Sequence, residues 1–338
     1  MSNQFNSVIG VVPSIVDVHH FYSTTEEWRA SLETLHLAPG EWSETDGTAD
    51  QSLALSQLPE SAIKVGSSVL AVMAVLPNCV RQNSLLYATM AYDGEGCEDP
   101  DSTVFHAGAK QLGITTRAIP LRGENPAVHV FVDPLSGERS FLKQPGVSRD
   151  ITELPNFNQA VTDSTVIALD AYELITGKTG ETLRSIIDRA AGNIALSLGN
   201  TAILGDELKS FIRTAGHEGR LHSVFGNEEE FSVLLDDREP LTEDRLMEAQ
   251  RELQAHIVTT RGSQGISAVV HGHYYHAAAS RVQPTSIVST SGAGDAAMGI
   301  ILGGIIEVDP IDLLLRKATA HCANVVQSAD DILPMNIL

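Results

Sequence analysis

The sequence predicts an α/β fold built on a doubly wound, mostly parallel sheet, with a second, small β-sheet as a lid. Two observations carry the main part of this prediction. Short β-rich runs alternate with helical stretches beyond about residue 152, which implies parallel strands joined by crossover helices. Hydrophobic residues make up 43% of the 338 residues but aromatic residues only 5%, so the core consists mainly of Ala, Val, Ile and Leu. That composition suits helices packed on a parallel sheet.

The N-terminal half contains one clear strand and one irregular stretch. Residues 8–12 are a β-branched run that ends at Pro13, which predicts the first strand. Residues 23–60 are polar and acidic and contain the turn pairs Pro39-Gly40 and Asp46-Gly47, so they leave the core. The other elements predicted here are a buried helix that opens after Gly66-Ser67-Ser68 in the apolar stretch 65–74, a strand over 85–90, a helix over 102–112, and hairpin strands over 127–132 and 139–142.

The C-terminal half has a regular rhythm of strands and helices. Helices are predicted over 180–191 and 242–253, and residues 289–306 pass from a strand into a buried helix. The strands predicted in this half are 166–169, 194–198, 222–225, 256–260 and 266–270.

The charge balance excludes two classes of partner. The chain has 22 Lys and Arg residues against 43 Asp and Glu residues, and this net charge of −21 repels nucleic acids and anionic lipids. A nucleotide is still allowed, because local donors outweigh a distant field that salt screens within roughly 10 Å. Cys79, Cys97 and Cys322 lie far apart, which is typical of reduced thiols, and no apolar run is long enough to span a bilayer. We therefore expect a cytoplasmic protein that binds neither nucleic acid nor membrane.

The sharpest pattern is Gly292-Ala293-Gly294-Asp295, which follows a strand-like run and opens an apolar helix. Unpaired backbone N–H groups at a helix N-terminus, together with the helix dipole, favour an anion. Glycine lets a phosphate approach the backbone because no Cβ stands in the way. Asp295 in the first turn can accept a proton from a hydroxyl beside that anion. The pattern therefore predicts a phosphate site with an adjacent base.

Two other interpretations fit the same residues. Small residues can simply form a tight turn, and an Asp in the first turn can simply cap the helix. The segment that begins at Gly292 also matches the dinucleotide fingerprint GxGxxA. Too few residues follow Gly299, however, to supply the remaining strands and the acidic ribose ligand of a dinucleotide fold. We set the dinucleotide interpretation aside and keep the turn as an alternative.

Two further patterns lie at predicted strand ends. Asn227 and Glu230 are three residues apart and could orient hydrated Mg²⁺, although a helix cap with an acidic first turn explains them too. Thr260, Gly262 and Gly265 form a glycine-rich turn that suits a nucleotide, although a plain hairpin explains that turn equally well.

The order of the three patterns resembles the C-terminal half of the ribokinase/PfkB kinase family, closest in layout to its adenosine-kinase-like branch. The patterns are Asn-x-x-Glu, Thr-x-Gly-x-x-Gly and Gly-Ala-Gly-Asp. The resemblance implies an ATP-dependent kinase that phosphorylates a hydroxyl of a sugar or nucleoside. Asp295 would be its catalytic base, and the N–H groups of Gly292, Ala293 and Gly294 would stabilise the developing charge. It implies ATP and Mg²⁺ as cofactors, and leaves open a monovalent cation and a homodimer.

The resemblance also implies roles for residues outside these patterns. Asp17, Gly66 and Ser67 would bind the substrate, and Asn324 in the last helix would contact the nucleotide. The lid would exclude water from the reaction. The implied division is a ribokinase-like core of residues 1–13, 61–114 and 150–338, and a lid of residues 14–60 and 115–149.

The chain departs from the family pattern at three positions. Val65 replaces a glycine, Leu70 stands in place of a substrate-binding Asn, and Ser289 replaces an acid or amide. Because Leu cannot hydrogen-bond a hydroxyl, we expect poor activity on ribose and adenosine, with Lys64 or Ser68 supplying a substitute contact. The departures also leave open an alternative function, in which the fold binds a nucleotide or metabolite with weak turnover or none.

Overall fold

The computed structural model contains two β-sheets and describes residues 5–40, 42–45, 54–55, 57–58, 61–93, 95–136, 139–189, 193–237, 240–288, 290 and 292–328. In chain order the strands are β1 (Ser7–Val12), β2 (Val16–Phe21), β3 (Trp42–Glu44), β4 (Ser61–Val65), β5 (Leu85–Tyr92), β6 (Thr116–Arg122), β7 (Ala127–Val132), β8 (Arg139–Gln144), β9 (Thr165–Asp170), β10 (Asn193–Ser197), β11 (Leu221–Asn227), β12 (His256–Thr260), β13 (Ile266–Val270) and β14 (His273–Ala277). The helices are α1 (Thr25–Thr34), α2 (Ser68–Ala74), α3 (Asn78–Gln82), α4 (Pro100–Gln111), α5 (Phe157–Ala160), α6 (Ala171–Ile175), α7 (Gly177–Arg189), α8 (Asp206–His217), α9 (Glu228–Leu234), α10 (Glu243–Leu253), α11 (Ala293–Glu307) and α12 (Ile311–Val325).

The large sheet has nine strands in the order β14-β13-β12-β11-β10-β9-β1-β5-β6. Neighbouring strands from β12 through β6 run parallel, whereas β13 and β14 join antiparallel. The prediction of a doubly wound, mostly parallel sheet is confirmed.

Strand β9 shows why helices cover both faces of this sheet. All six of its residues are buried. Val166 and Ala168 belong to an apolar cluster with α2, α4, α11 and α12, whereas Ile167 and Leu169 belong to a second cluster with α7, α8 and α10. Successive side chains of a strand point to opposite faces, so a strand between two helix layers has to be apolar throughout.

The small sheet has the strand order β3-β8-β7-β2-β4. Strands β7 and β8 form the antiparallel pair that the sequence predicted as a hairpin. Helix α1 covers one face, where Trp28 and Leu32 share an apolar cluster with Phe131 and Leu142. Side chains of β2, β4, β7 and β8 line a cavity together with the last residues of β1 and β9. The small sheet therefore faces the carboxyl edge of the large sheet.

Two strands belong to a different sheet from the one predicted for their segments. Strand β4 falls in the predicted core segment 61–114 but pairs antiparallel with β2 in the small sheet. Strand β6 falls in the predicted lid segment 115–149 but pairs parallel with β5 in the large sheet. The connection from β5 through α4 to β6 is a strand–helix–strand crossover, which returns the chain to the same sheet. The wider division into core and lid stays a prediction.

The structure bears on three predicted element boundaries. Helix α2 begins at Ser68, with two residues between it and the end of β4 at Val65, which confirms the helix predicted to open after Gly66-Ser67-Ser68. The strand predicted from residue 289 into α11 falls mostly on residues 289 and 291, which lie outside the described part of the chain; upstream of it, Pro284–Ser286 forms a 3-10 turn closed by the Ser286 N–H on the Gln283 carbonyl. Helix α7 ends at Arg189 in the described part of the chain, and predicted residues 190 and 191 lie outside it.

The three cysteines are free thiols, and no described helix spans a membrane. Cys79 and Cys97 are exposed free thiols and Cys322 is a half-buried one. Within the ranges given above, every helix is too short or too polar to cross a bilayer.

Close packing of two helices fixes the position of the Gly292–Asp295 pattern. Helix α11 is buried over most of its length and lies against α2. A Cβ on Gly299 would stand 2.3 Å from the Val72 carbonyl oxygen, so the two backbones approach more closely than any other residue allows. This contact sets the start of α11 beside the start of α2.

Replacing Gly299 with Ala should therefore lower the free energy of unfolding by about 1–3 kcal/mol. Ala ordinarily favours a helix over Gly by roughly 1 kcal/mol, but the clash here is with backbone, which cannot move without separating the helices. Denaturant unfolding measures the change. Gly205→Ala is the matched control, because no heavy atom lies within 4 Å of the added Cβ. A Gly299→Ala variant as stable as the parent would contradict the packing.

Candidate active site

Two cavities adjoin at the carboxyl edge of the large sheet. The inter-sheet cavity, of about 210 Å³, lies between the sheets and includes Asp17, Lys143 and Glu173 in its lining. The edge cavity, of about 330 Å³, lies along the strand ends and includes Asn227 and Thr260. The residues that line both cavities are Ser68, Asp170, Tyr172 and Asp295. Asp295 therefore lies where the two cavities meet.

The N-terminus of α11 opens into both cavities. Gly292 precedes the helix with a φ of 73°, a left-handed conformation that suits glycine, and no side chain of the described residues caps the helix. Gly292 lines the inter-sheet cavity and Gly294 the edge cavity, and no atom lies within 4 Å of the point where a Gly294 Cβ would be. The first backbone N–H groups of the helix are therefore open to an anion.

The carboxyl group of Asp295 has an unusually high proton affinity. Burial raises its pKa to about 7, with smaller contributions from the negative charges of Asp170, Glu230 and Asp17. The hydroxyl of Ser68 acts in the opposite direction, because it stabilises the ionised form. A carboxyl group with a pKa near neutrality can both accept and release a proton at physiological pH.

Asp170 and Glu173 lie at the end of β9 and in the first turn of α6. Each is only 5% exposed, and burial raises the pKa of Asp170 to about 6 and that of Glu173 to about 7. The positive charge of Lys143 opposes both shifts. Asp170 Oδ1 accepts the Tyr172 N–H at 2.9 Å, but Asp170 Oδ2 and Glu173 Oε2 are buried without a hydrogen-bond partner among the described residues.

Asn227 and Glu230 form a reciprocal cap at the start of α9. The Glu230 N–H donates to Asn227 Oδ1, and the Asn227 N–H and Nδ2 donate to the two oxygens of Glu230, each at 2.9 Å. The helix-cap interpretation is therefore confirmed. Both residues line the edge cavity, and burial raises the pKa of Glu230. In the part of the chain that the structure describes, no group of three His, Cys, Asp or Glu residues is arranged to hold a metal ion.

The structure brings only one residue of the predicted nucleotide turn into the edge cavity. Thr260 lines it, whereas Gly262 and Gly265 line neither cavity. Gly265 has a φ of 105°, and a Cβ there would stand 2.0 Å from the Ala277 carbonyl oxygen, so the hairpin itself requires a glycine. Asn324 is exposed on α12 and also lines neither cavity. Contacts from Gly262, Gly265 and Asn324 to a nucleotide stay predictions.

The predicted substrate residues meet in the inter-sheet cavity. Asp17 on β2 packs directly against the backbone of Gly66, which follows β4. A Cβ on Gly66 would stand only 2.6 Å from Asp17 Oδ1. Ser67 caps α2 and has a φ of 94°, a region that residues with a Cβ rarely occupy. Such strain is found most often where the surrounding structure holds a functional group in place.

Leu70 does not face the inter-sheet cavity, which corrects the expectation attached to it. Its side chain is fully buried in the apolar cluster between α2 and α11. Residues Ser67, Ser68 and Ala71 of the same turn line the cavity instead. Of the two substitutes proposed from sequence, Ser68 lines the cavity and Lys64 does not. Ser289, the third departure, lies outside the described residues.

Four polar residues of the inter-sheet cavity were not assigned a role from the sequence. They are Lys143, Asp170, Tyr172 and Glu173. Asp170 comes directly after the strand predicted over 166–169 and Glu173 follows one turn later, so this acidic pair was a usable signal. Lys143 lies on β8, whose pairing with β7 and β3 brings it into the site. Nothing in its local sequence marks it.

Comparisons with known proteins point to one family. A sequence model of the pfkB family carbohydrate kinases matches residues 98–337. No curated protein sequence matches the chain.

Similar solved structures share the fold. They include an adenosine kinase from Sinorhizobium meliloti, with 18% identity, a TM-score of 0.75 and coverage of 98% of this chain and 96% of that one. A probable sugar kinase protein from Rhizobium etli CFN 42 has 17% identity, a TM-score of 0.78 and coverage of 98% and 96%. A ribokinase from Thermotoga maritima has 16% identity, a TM-score of 0.66 and coverage of 98% and 97%. At these identities the likeness shows a common fold.

Replacing Glu173 with Gln should raise the stability of the empty protein at pH 8 and change it little at pH 5. The folded state holds the pKa of Glu173 at about 7, above the ordinary 4.5. The free-energy cost of burying its ionised form therefore develops as pH rises from 4.5 to 7. Removing that charge should raise Tm at pH 8 by roughly 3–8 °C.

Differential scanning calorimetry at the two pH values measures this difference. Glu181→Gln, at an exposed position of α7, is the control and should leave Tm unchanged at both. A Glu173→Gln variant with a lower Tm than the parent at pH 8 would show that the ionised carboxylate is stabilising.

Proposed function

The chain belongs to the pfkB family of carbohydrate kinases, and on that premise we propose that it transfers the γ-phosphoryl group of ATP to a hydroxyl of a sugar or nucleoside. The observation that carries this proposal is the position of Asp295. Its carboxyl group lies where the two cavities meet, in the first turn of a helix whose N-terminus is open. A phosphoryl transfer needs two adjoining sites with a base and an anion site at their junction.

The two cavities divide the substrates between them. The acceptor lies in the inter-sheet cavity, where Asp17, Gly66 and Ser67 bind its hydroxyl groups. ATP lies along the edge cavity beside Asn227 and Thr260, with its γ-phosphate toward Asp295. The lining of each cavity supports this division, because the two share only Ser68, Asp170, Tyr172 and Asp295.

Asp295 acts as the general base. Its carboxylate takes the proton of the acceptor hydroxyl while the hydroxyl oxygen forms a bond to the γ-phosphorus and the bond to the β-phosphate oxygen breaks, which releases ADP. The raised pKa supports this role, because a base is most effective when its pKa lies near the working pH.

The start of α11 stabilises the transferred group. The N–H groups of Gly292, Ala293 and Gly294 point out of the helix and carry the positive end of its dipole. Negative charge that develops on the phosphoryl oxygens is stabilised there by donors that need no rearrangement.

Residues of the edge cavity fit a Mg²⁺ ion held through water. Glu230 is 7% exposed, and each of its oxygens accepts one N–H from Asn227, which leaves a second lone pair on each for a water ligand. Asn227 would hold the carboxylate in that orientation. The ion supplies positive charge beside the phosphates when ATP is bound.

The small sheet acts as a lid over the acceptor site. Strands β2, β4, β7 and β8 supply Asp17, Val65, Val128 and Lys143 to the inter-sheet cavity, so closure over a bound acceptor would exclude water from the reaction. We place the reaction in the cytoplasm, where ATP is available. Leu70 is buried outside the cavity, so this departure no longer favours a protein without turnover, whereas Val65 lines the cavity and keeps that alternative open.

Asp295→Asn should lower kcat by roughly 10² or more and leave ATP affinity nearly unchanged, because the amide keeps the shape but cannot take a proton. ADP release with Mg-ATP and a panel of sugars and nucleosides measures kcat, and calorimetry measures ATP binding. Asp312→Asn, an exposed first-turn Asp of α12, is the matched control. Equal activity of Asp295→Asn and the parent would remove Asp295 from the mechanism.

Activity on an uncharged acceptor should rise with pH until the base is ionised. Because burial and the neighbouring Asp170 raise the pKa of Asp295 to about 7, kcat/KM should increase about tenfold per pH unit below 7 and level off above it. A steady-state profile from about pH 5.5 to 8.5 measures this dependence. A profile that is level across the whole range would contradict the assigned base.

A further inference from the structure

The lining of the inter-sheet cavity carries more negative than positive charge. Its acidic residues are Asp17, Asp170, Glu173 and Asp295, and Lys143 is the one Lys or Arg among the described residues of the lining. Burial of like charges around one cavity is unfavourable unless a partner of opposite charge joins them. The lining therefore holds four acidic side chains against one lysine.

Two carboxylate oxygens of the lining stand out because they lack a hydrogen-bond donor. Glu173 Oε2 is buried and has no hydrogen-bond partner among the described residues, and Asp170 Oδ2 has none within hydrogen-bonding geometry there, although the hydroxyls of Ser68 and Ser197 favour the ionised form of Asp170. Both side chains line the cavity. Each residue is only 5% exposed, which limits the contact of its carboxylate with bulk water. Buried carboxylate oxygens are paired in most folded proteins, and an exception calls for a ligand or another explanation.

Lys143 supplies part of the charge but not the missing contacts. It is 4% exposed, and its charge favours the ionised forms of both Asp170 and Glu173. Within the described part of the chain, however, its Nζ forms no ion pair within 4 Å. One lysine is thus shared by two carboxylates that it does not touch.

The chemistry of the missing partner follows from these contacts. A phosphate or carboxylate on the acceptor would place a further acidic group among four acidic side chains. A hydroxyl would donate a hydrogen bond to one orphaned oxygen but leave the charge uncompensated. A protonated amine donates up to three hydrogen bonds and brings a positive charge, so it satisfies both deficits.

We propose that the inter-sheet cavity binds a hydroxylated molecule with a protonated primary amine, and that Glu173, with Asp170, binds the ammonium group. This inference rests on the proposed function for the statement that the molecule is the phosphoryl acceptor. Glu173 lines only one of the two cavities, the inter-sheet cavity, whereas Asp170 lines both, as Asp295 does. The amine is therefore held on the side of the acceptor away from the nucleotide, and Glu173 is the residue that selects for it.

Binding without ATP tests the inference separately from catalysis. Isothermal titration calorimetry at pH 7.5 compares three amines with the alcohols of the same skeleton: 2-amino-2-deoxyglucose with glucose, 2-amino-2-deoxygalactose with galactose, and 3′-amino-3′-deoxyadenosine with adenosine. N-Acetylglucosamine is the uncharged amide. At least one amine should bind about tenfold or more tightly than its alcohol, the ratio expected when a charged hydrogen bond replaces a neutral one.

The residue assignment is tested with matched variants. Glu173→Gln should remove the preference of the amine over the alcohol and leave the affinity for the alcohol within about threefold, since a neutral amide cannot stabilise the ammonium. Glu181→Gln, at the exposed position on α7, should keep the preference. The Tm of each variant shows that it is folded.

The outcomes separate the inference from the proposed function. Amines that bind no more tightly than their alcohols in all three pairs, or a preference that survives in Glu173→Gln, would overturn the inference. Release of ADP with an alcohol acceptor in that case would still support the kinase. Amine binding that depends on Glu173 but gives no ADP with Mg-ATP would retain the inference and refute the kinase.

Discussion

Parallel strands of one sheet end at the same edge, and the chemistry of this chain depends on that constraint. The last residues of β9, β11 and β12 are Asp170, Asn227 and Thr260, which lie far apart along the chain. At this edge the carboxyl groups are withdrawn from water, and their pKa values rise because the charged form loses its hydration. Asp295 would be a very weak base in water, and its burial brings it into the range of physiological pH.

Sequence reasoning was successful where the signal is local. The four residues Gly292–Asp295 are enough to predict a helix with an open N-terminus. The pair Asn227 and Glu230, one turn apart, is enough to predict a helix cap. The apolar strands of the large sheet were predicted because burial on both faces leaves a continuous apolar run. These features need no knowledge of what the rest of the chain does.

The parts that sequence reasoning missed depend on pairing between distant segments. Strand β4 joins the small sheet by pairing with β2, and no local pattern in either strand indicates which strand it pairs with. Lys143 reaches the cavity because β8 pairs with β7 and β3. The error at Leu70 has the same origin, because its orientation is set by packing between α2 and α11. A one-residue pattern match assigns a position in a motif, but tertiary packing decides which side of the helix faces the site.

Beyond the four residues that they share, the two cavities differ in the parts of the molecule that line them. Residues of the small sheet line the inter-sheet cavity, and the edge cavity is lined by the large sheet, the starts of α2, α6, α9 and α11, and the loops beside them. Substitutions on β2, β7 or β8 can therefore reshape one pocket and leave the other intact. Descendants of such a chain can diverge in the compound they recognise while inheriting the same machinery for phosphate chemistry, so selectivity and reactivity evolve as separable traits.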